Sequence, residues 1–310
     1  MEHAPIPDLA VRVATVVRAV MAEIRPRLLQ AALTGQRGES RNLRHRDNFL
    51  SSHDLWMHDR YRELLGAAIG SFVYASEEAD PVVVGPEESP DLCVLVDPLD
   101  TSELAVRALH GYTHVLVYSR SLARPVVAVV GDIFHHVQSY VAALGGDGLD
   151  RAWLETRDGS LFLLDVSSRT PVDISSALVT NYLMRPEQRF TPLTRQQALL
   201  QQLGQKDSDG KSRGRIGVDF GSVSLCHVAS GATDATVEFA KGFALWDLAP
   251  GHYVLSAAGG AVIDLGGKPL SLTWPVDSLA DLTRLMRGRQ TFVAAASQSL
   301  AEQIAATLVV

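Results

Sequence analysis

The sequence predicts a mixed α/β protein laid down as helices, sheet, helices, sheet and a closing helix. Three observations predict it. Apolar residues recur at helical spacing over 8–33 and 53–70. β-rich runs fill 112–143 and are parted only by short turns. A second alternation of helix-like and strand-like runs occupies the C-terminal third. Turns as short as those at 112–143 cannot carry parallel crossovers, so a doubly wound parallel sheet is disfavoured against a layered architecture.

The elements follow in order. Asp8 can cap a helix over 8–33, where Leu9, Val13, Val16, Val20 and Ile24 stand at three- and four-residue steps. Gly35–Asp47 is polar and basic and reads as a loop. Residues 53–70 read as a second helix, ended by Gly70. "SFVYAS" (71–76) is a strand that runs into Glu77-Glu78, and "PDLCVLV" (90–96) is a strand that runs into Asp97. "YTHVLVYSRS", "RPVVAVVGDIF" and "VQSYVAAL" form a meander; 145–148 is a turn, and 150–164 adds a hairpin. Residues 173–205 read as helical and polar, and 206–215 as a flexible connection. "GSVSLCHVASGA" (221–232) reads as a buried helix stopped by Gly231. "ATVEFA" is a strand, 245–260 a helix ended by Gly259-Gly260, and "AVIDLGGKPL" a hairpin-like piece. "QTFVAAA" is a last strand and 297–308 a closing helix.

The 310 residues are 46% hydrophobic and 20% charged, ordinary for a soluble globular protein and long enough for about two domains. Two parts are expected, 1–150 and 151–310. A net charge of −7 argues against a nucleic-acid partner, which needs clustered Lys and Arg. Cys93 and Cys226 each lie in an apolar run and read as small buried hydrophobes; with no disulfide framework, a reducing cytoplasm is expected. No stretch approaches the ~20 apolar residues of a membrane span, and the N-terminus shows no signal-peptide core.

The chemistry lies in acids at element ends. Val94-Leu95-Val96 stops at Asp97, and Asp100 follows after Pro98 and Leu99, with Thr101 and Ser102 behind. An isolated D-P-x-D is more often a polar turn. Here Glu77 stands 20 residues earlier at another strand end, and Asp247 opens a helix beside Trp246. Carboxylates gathered in this way suit a hard cation such as Mg²⁺, which shares a few acids with substrate phosphates. A second acidic pair, Glu87-Glu88, competes with Glu77 for the same role, although no apolar strand ends on it. The ten histidines read as structural or surface groups.

These residues resemble the signatures of the inositol monophosphatase-like superfamily of Mg²⁺-dependent phosphatases. Its D-P-[IL]-D-G-[ST] stands as Asp97-Pro98-Leu99-Asp100-Thr101-Ser102. Its W-D-x-A-x-G stands as Trp246-Asp247-Leu248-Ala249-Pro250-Gly251, followed by Ala258-Gly259-Gly260 and Gly267-Lys268-Pro269. The resemblance implies a five-layer αβαβα sandwich of the inositol monophosphatase and fructose-1,6-bisphosphatase type. It implies a phosphomonoesterase that uses metal-activated water on a small phosphorylated polyol, sugar, cyclitol or nucleoside. Two or three Mg²⁺ would be held by Glu77, Asp97, the Leu99 carbonyl, Asp100 and Asp247. The amides of Thr101 and Ser102 would hold the phosphate. Ser102, with Asp54 as partner, and Glu77 would act on the water. Asp100, Glu238, Lys241 and Asp247 would contact substrate. A cytoplasmic homodimer is expected, with no membrane and no nucleic-acid partner. A 3′-phosphonucleotide or fructose-1,6-bisphosphate phosphatase, or a quiet member that only binds a phosphorylated ligand, stays open. Thr101 stands where the family has Gly, and would be strained if that position needs φ > 0. Pro250 is tolerable if it falls near the first turn of its helix.

Overall fold

The protein is described here by a computed structural model covering residues 5–40, 49–170 and 172–309. The expected loop at 35–47 therefore lies partly outside the described residues. The chain divides into two compact units, 1–163 with 273–287, and 164–272 with 288–310. Residues 151–163, read from the sequence as the start of the second part, continue the first sheet.

In the first unit, α1 (Asp8–Thr34) and α2 (Ser52–Ile69) precede β1 (Phe72–Ser76), β2 (Ala79–Val84), β3 (Leu92–Asp100) and the single-turn α3 (Ser102–Ala105). The meander follows as β4 (Tyr112–Ser119), β5 (Arg124–Asp132), β6 (Val137–Leu144), β7 (Asp150–Thr156) and β8 (Leu161–Leu164). These strands form one sheet in the order β2-β1-β3-β4-β5-β6-β7-β8, antiparallel from β3 through β7; β1 and β3 run parallel. Val13, Val17, Val20, Ile24 and Leu28 give α1 a buried stripe. That stripe packs with Met57, Tyr61 and Leu65 of α2 onto Val94, Val96, Val115, Val117 and Val129. Each such side chain taken fully from water contributes about 1.5–3 kcal/mol before the entropy of ordering is subtracted. Helices on a sheet make two layers.

In the second unit the stretch 173–205 departs from the helical expectation. It holds a 3₁₀ turn, β9 (Leu178–Asn181), a π turn over Pro186–Phe190, and two short helices, α4 (Thr191–Thr194) and α5 (Gln197–Leu203). β9 is four residues long, so no period of either kind can build up in it. It gains its place from tertiary pairing, parallel to both β10 (Arg215–Val218) and β11 (Ala235–Ala244). Between them runs α6 (Gly221–Ser230). After β11 come α7 (Leu245–Ala257) and β12 (Ala261–Ile263). The chain returns to the first unit as α8 (Leu279–Arg287), then ends in β13 (Arg289–Ala295) and α9 (Gln298–Ala305). The second sheet has the order β10-β9-β11-β13-β12. Leu199, Leu203, Leu300 and Ile304 pack on one of its faces with Val179, Val237 and Val293, while α6 and α7 lie on the other. This makes three layers.

The G-containing motif at α7 has a packing cause. A Cβ on Gly251 would collide with the Ser222 carbonyl and stand 2.9 Å from its Cα. Only glycine lets α6 and α7 approach so closely, and the Gly251 amide then donates to Ser222 Oγ at 3.1 Å. Pro250 is the sixth residue of α7, past the first turn, so it removes one helical hydrogen bond rather than sitting at a free N-terminal position.

Candidate active site

β3 delivers the paired acids through a bulge. Asp97 lies opposite His114 of β4, and Asp100 opposite Tyr112. Three steps on β3 therefore match two on β4. In a regular strand, residues three apart point to opposite faces. The extra residue brings both carboxylates to the same side, and it gives Pro98 a place where no ladder donor is required. The D-P-x-D spacing is thus a bulge signature as well as a ligand signature.

Asp97 is 1% exposed. Its carbonyl accepts from Thr113 Oγ1 at 3.2 Å, and Tyr61 OH lies 2.8 Å from that hydroxyl. Donor atoms of Asp97, Asp100 and His114 fall within 4.8 Å of one another. His114, fully buried, sets its Nε2 3.0 Å from Asp100 Oδ2, while its Nδ1 has no hydrogen-bond partner among the described residues. The tautomer that satisfies both facts carries its proton on Nε2 and donates it to Asp100. His114 therefore orients Asp100. Two carboxylates beside the Leu99 carbonyl are hard oxygen donors, the type Mg²⁺ takes, so the residues present fit that ion.

The hydroxyl side of the site is equally local. Thr101 adopts φ 61°, ψ 38°, a left-handed conformation that a β-branched residue rarely takes. The turn starts α3 and aims Ser102 Oγ at two acceptors, Asp54 Oδ1 and the Leu99 carbonyl, the latter at 2.7 Å. Asp54 is the third residue of α2. Its Oδ2 accepts from Ser51 N at 2.8 Å and Ser51 Oγ at 2.6 Å, so the same carboxylate caps its own helix. Burial pushes the Asp54 carboxyl above the usual carboxylate range, and the hydrogen bonds from Ser102 and Ser51 oppose the shift.

Glu77 and Glu78 form the turn of the β1–β2 hairpin. The Glu77 amide donates to the Val96 carbonyl at 3.2 Å, so its backbone abuts β3 one residue before Asp97. Its carboxylate is not among the three clustered donors. Glu87 donates its amide to Ser71 Oγ, at the opposite end of β1, about 16 Å of strand away.

Asp247, Glu238 and Lys241 belong to the second unit. Asp247 is the third residue of α7; its Oδ2 accepts from Ala244 N at 3.3 Å, and its carbonyl accepts from Ser222 Oγ at 2.7 Å. Glu238 is 1% exposed. Its Oε1 accepts from the amides of Ala240, Lys241 and Gly242 at 2.9–3.1 Å, and its Oε2 pairs with Arg189. Sequence reasoning missed Arg189 and the support that His114 gives Asp100. The pairing of β4 with β3 was the one available signal for His114; nothing in the run "PEQRF" marks Arg189.

The whole described chain, residues 5–309, matches the inositol monophosphatase family. The chain belongs to that family. A stretch of 62 residues of this family member is 44% identical to human inositol monophosphatase 2 and 42% identical to the rat protein. Those alignments span about a fifth of the curated relatives, 21% of each. Among solved structures, Leishmania major fructose-1,6-bisphosphatase superposes with a TM-score of 0.69 at 11% identity, covering 98% of this chain and 95% of that one. The extragenic suppressor protein suhB of Bartonella henselae gives 0.63 at 15% identity over 96% of both chains. Inositol monophosphatase II of Staphylococcus aureus gives 0.62 at 15%, over 94% and 91%. At such identities these likenesses show the fold, the layered α/β sandwich of the inositol monophosphatase and fructose-1,6-bisphosphatase type. Among the described residues, no helix is long and apolar enough to cross a membrane.

Proposed function

We propose that this family member is a Mg²⁺-dependent phosphomonoesterase acting on a small phosphorylated polyol, sugar, cyclitol or nucleoside. The observation that supports it most is the convergence of Asp97, Asp100 and the Ser102–Asp54 pair on one bulged strand end. Glu77, Asp97, the Leu99 carbonyl, Asp100 and Asp247 would hold two or three ions. Bound Mg²⁺ would offset the charge of the phosphate and acidify a water.

The chain's own groups do the rest. The turn at Thr101 sets the amides of Thr101 and Ser102 at the start of α3, where they would hold phosphate oxygens. Ser102 Oγ carries one proton and faces two acceptors. With Asp54 ionised, that proton turns to Asp54 and leaves an oxygen lone pair for a proton from water. With Asp54 protonated, Asp54 donates to Ser102, and Ser102 donates to the Leu99 carbonyl. Burial of Asp54 brings the two states closer in energy, which suits a group that passes a proton on. Glu77, backed onto β3 beside Asp97, would act on the same water. We also infer a cytoplasmic protein working as a homodimer, on the family resemblance alone.

Phosphate release from a panel of esters, with and without Mg²⁺, tests the reading. Asp97→Asn and Asp247→Asn should each lower turnover by at least a hundredfold while the melting profile stays within a few degrees. Full turnover in both variants would remove the metal assignment. Mg²⁺ binding without release from any ester would favour the quiet, ligand-binding reading.

A further inference from the structure

The first sheet has a second face, away from α1 and α2. Val94 and Val96 pack beneath those helices, so Cys93, one step before them on β3, points to the other side. Val73 stands beside Cys93 in the parallel register of β1 with β3. Its neighbours Phe72 and Tyr74 belong to the helix-side core, so Val73 shares the face of Cys93. The returning segment 273–287 crosses this face. Between the two lies a cavity of about 200 Å³, lined by Val73 and Cys93 from the sheet and by Val276, Leu279 and Leu282 from the segment above. All of these residues belong to the first unit.

A close-packed interior closes voids of this size, because an unfilled one forfeits contacts and stability. Here the backbone of the covering segment is fixed at its height. Tyr118 OH donates to the Trp274 carbonyl at 2.7 Å and accepts from the Trp274 amide at 2.9 Å. Arg120 donates Nε to the Val276 carbonyl at 2.9 Å and Nη2 to the Asp277 carbonyl at 2.8 Å. Its Nη1 reaches the Pro90 carbonyl and Ser89 Oγ, just before β3. These bonds hold the segment off the short side chains of Val73 and Cys93, so the cavity is preformed. Its inner wall is apolar, since Val73, Cys93, Val276 and Leu282 are all buried. Burial pushes the Cys93 thiol up to about 11, as a dry neighbourhood does. An apolar cavity of about 150 Å³ already accepts benzene.

The mouth is polar and its charge is unbalanced. Glu88 and Asp277 bring two carboxylates to the lining against the single guanidinium of Arg120. Arg120 also serves Asp91. Burial raises the Asp91 carboxyl, but bonds from Ser119 and Ser121 and the charge of Arg120 bring it below the usual carboxylate range. A ligand with an apolar body thus meets a negative rim, which attracts a cationic head and repels an anionic one.

We propose that the cavity between Val73–Cys93 and the segment 273–287 is a binding site for a small organic cation, an aryl- or alkylammonium whose apolar body fills the interior and whose ammonium group lies between Glu88 and Asp277. The site is separate from the acids at the end of β3, because Cys93 and Asp97 stand four residues apart along that strand. It stands whether or not the phosphatase reading does.

Three probes of one shape and different charge test it: phenethylamine, 2-phenylethanol and phenylacetate. Titration calorimetry of the full chain with Mg²⁺ present should give phenethylamine a Kd of about 0.1–1 mM. 2-Phenylethanol should bind about three- to tenfold more weakly, and phenylacetate more weakly still. At ten times its Kd the amine should raise the melting temperature by about 2–4 °C. Val73→Phe fills the cavity and should abolish binding of both the amine and the alcohol. The surface double variant Glu88→Gln/Asp277→Asn should bring the amine-to-alcohol ratio toward unity and leave the alcohol's affinity unchanged, a readout that holds even if Val73→Phe folds poorly. No binding of any probe below about 10 mM overturns the site. Amine binding that persists in a folded Val73→Phe protein places the amine elsewhere and overturns it too. An alcohol or carboxylate that equals the amine, or a ratio that the double variant leaves intact, overturns the cationic class.

Discussion

Replacing Thr101 by glycine and by alanine asks whether the backbone that starts α3 is under strain. At φ 61°, ψ 38° an L-residue pays about 1–2 kcal/mol, and β-branching puts threonine at the upper end. Glycine escapes that cost but gives up about 0.5–1 kcal/mol of unfolded-state entropy. Both variants lose the Cγ2 methyl and the Oγ1 bond to the Asp100 carbonyl at 2.6 Å, and only glycine also gives up the buried Cβ. The larger side-chain terms therefore cancel between the variants, and the backbone terms decide the order. Thr101→Gly should be more stable than Thr101→Ala by about 0.5–1 kcal/mol, whereas at an ordinary position alanine leads by a similar amount. With a urea slope of about 3 kcal/mol/M, the midpoint should lie about 0.2–0.3 M higher for glycine. The assay is urea unfolding of both variants followed by far-UV circular dichroism. An alanine variant equal to or above the glycine variant would refute the strain argument.

Two further outcomes follow from burial and close packing. Gly251→Ala should destabilise by about 1–3 kcal/mol, although alanine is the better helix former by about 1 kcal/mol, because its methyl meets the Ser222 backbone; an unchanged melting temperature would show that α6 and α7 can move apart. Burial holds the His252 imidazole down to about 4, so the native state favours the neutral ring. Its contribution is complete above the unfolded value of about 6.5 and is lost as pH falls through that value toward 4, a span of about 3 kcal/mol. His252→Gln should flatten the stability profile between pH 6.5 and 4.5, and equal slopes for both proteins would exclude His252 as the cause.

Long elements were legible in the sequence because their periods had room to repeat. α1 runs Asp8–Thr34 against an expected 8–33, and the meander strands fall where β-rich runs were read. β9 and α8 were not legible. Leu178–Asn181 is too short to show alternation, and its β-character comes from parallel neighbours far away in sequence. In the site, Asp97 and Asp100 were visible because one bulge encodes both in a local spacing. The Ser102–Asp54 contact was visible only through the family resemblance, since 48 residues separate the two. Arg189 left no sequence trace because its partner Glu238 is 49 positions on, and an arginine in a polar run looks like any solvated one.

The return of residues 273–287 to the first unit sets an order of events during synthesis. Trp274, Val276 and Asp277 offer the carbonyls that hold Tyr118 and Arg120, and Val276, Leu279 and Leu282 wall the cavity into which Cys93 faces. A ribosome adding about 5–20 residues per second needs about 6–25 s to go from the end of β8 to the end of α8. For that interval the nascent first unit lacks one wall, and the Cys93 thiol lies open. Reaction of Cys93 with a maleimide on stalled nascent chains should end once α8 has left the exit tunnel, which makes this cysteine a clock for the closing of the unit.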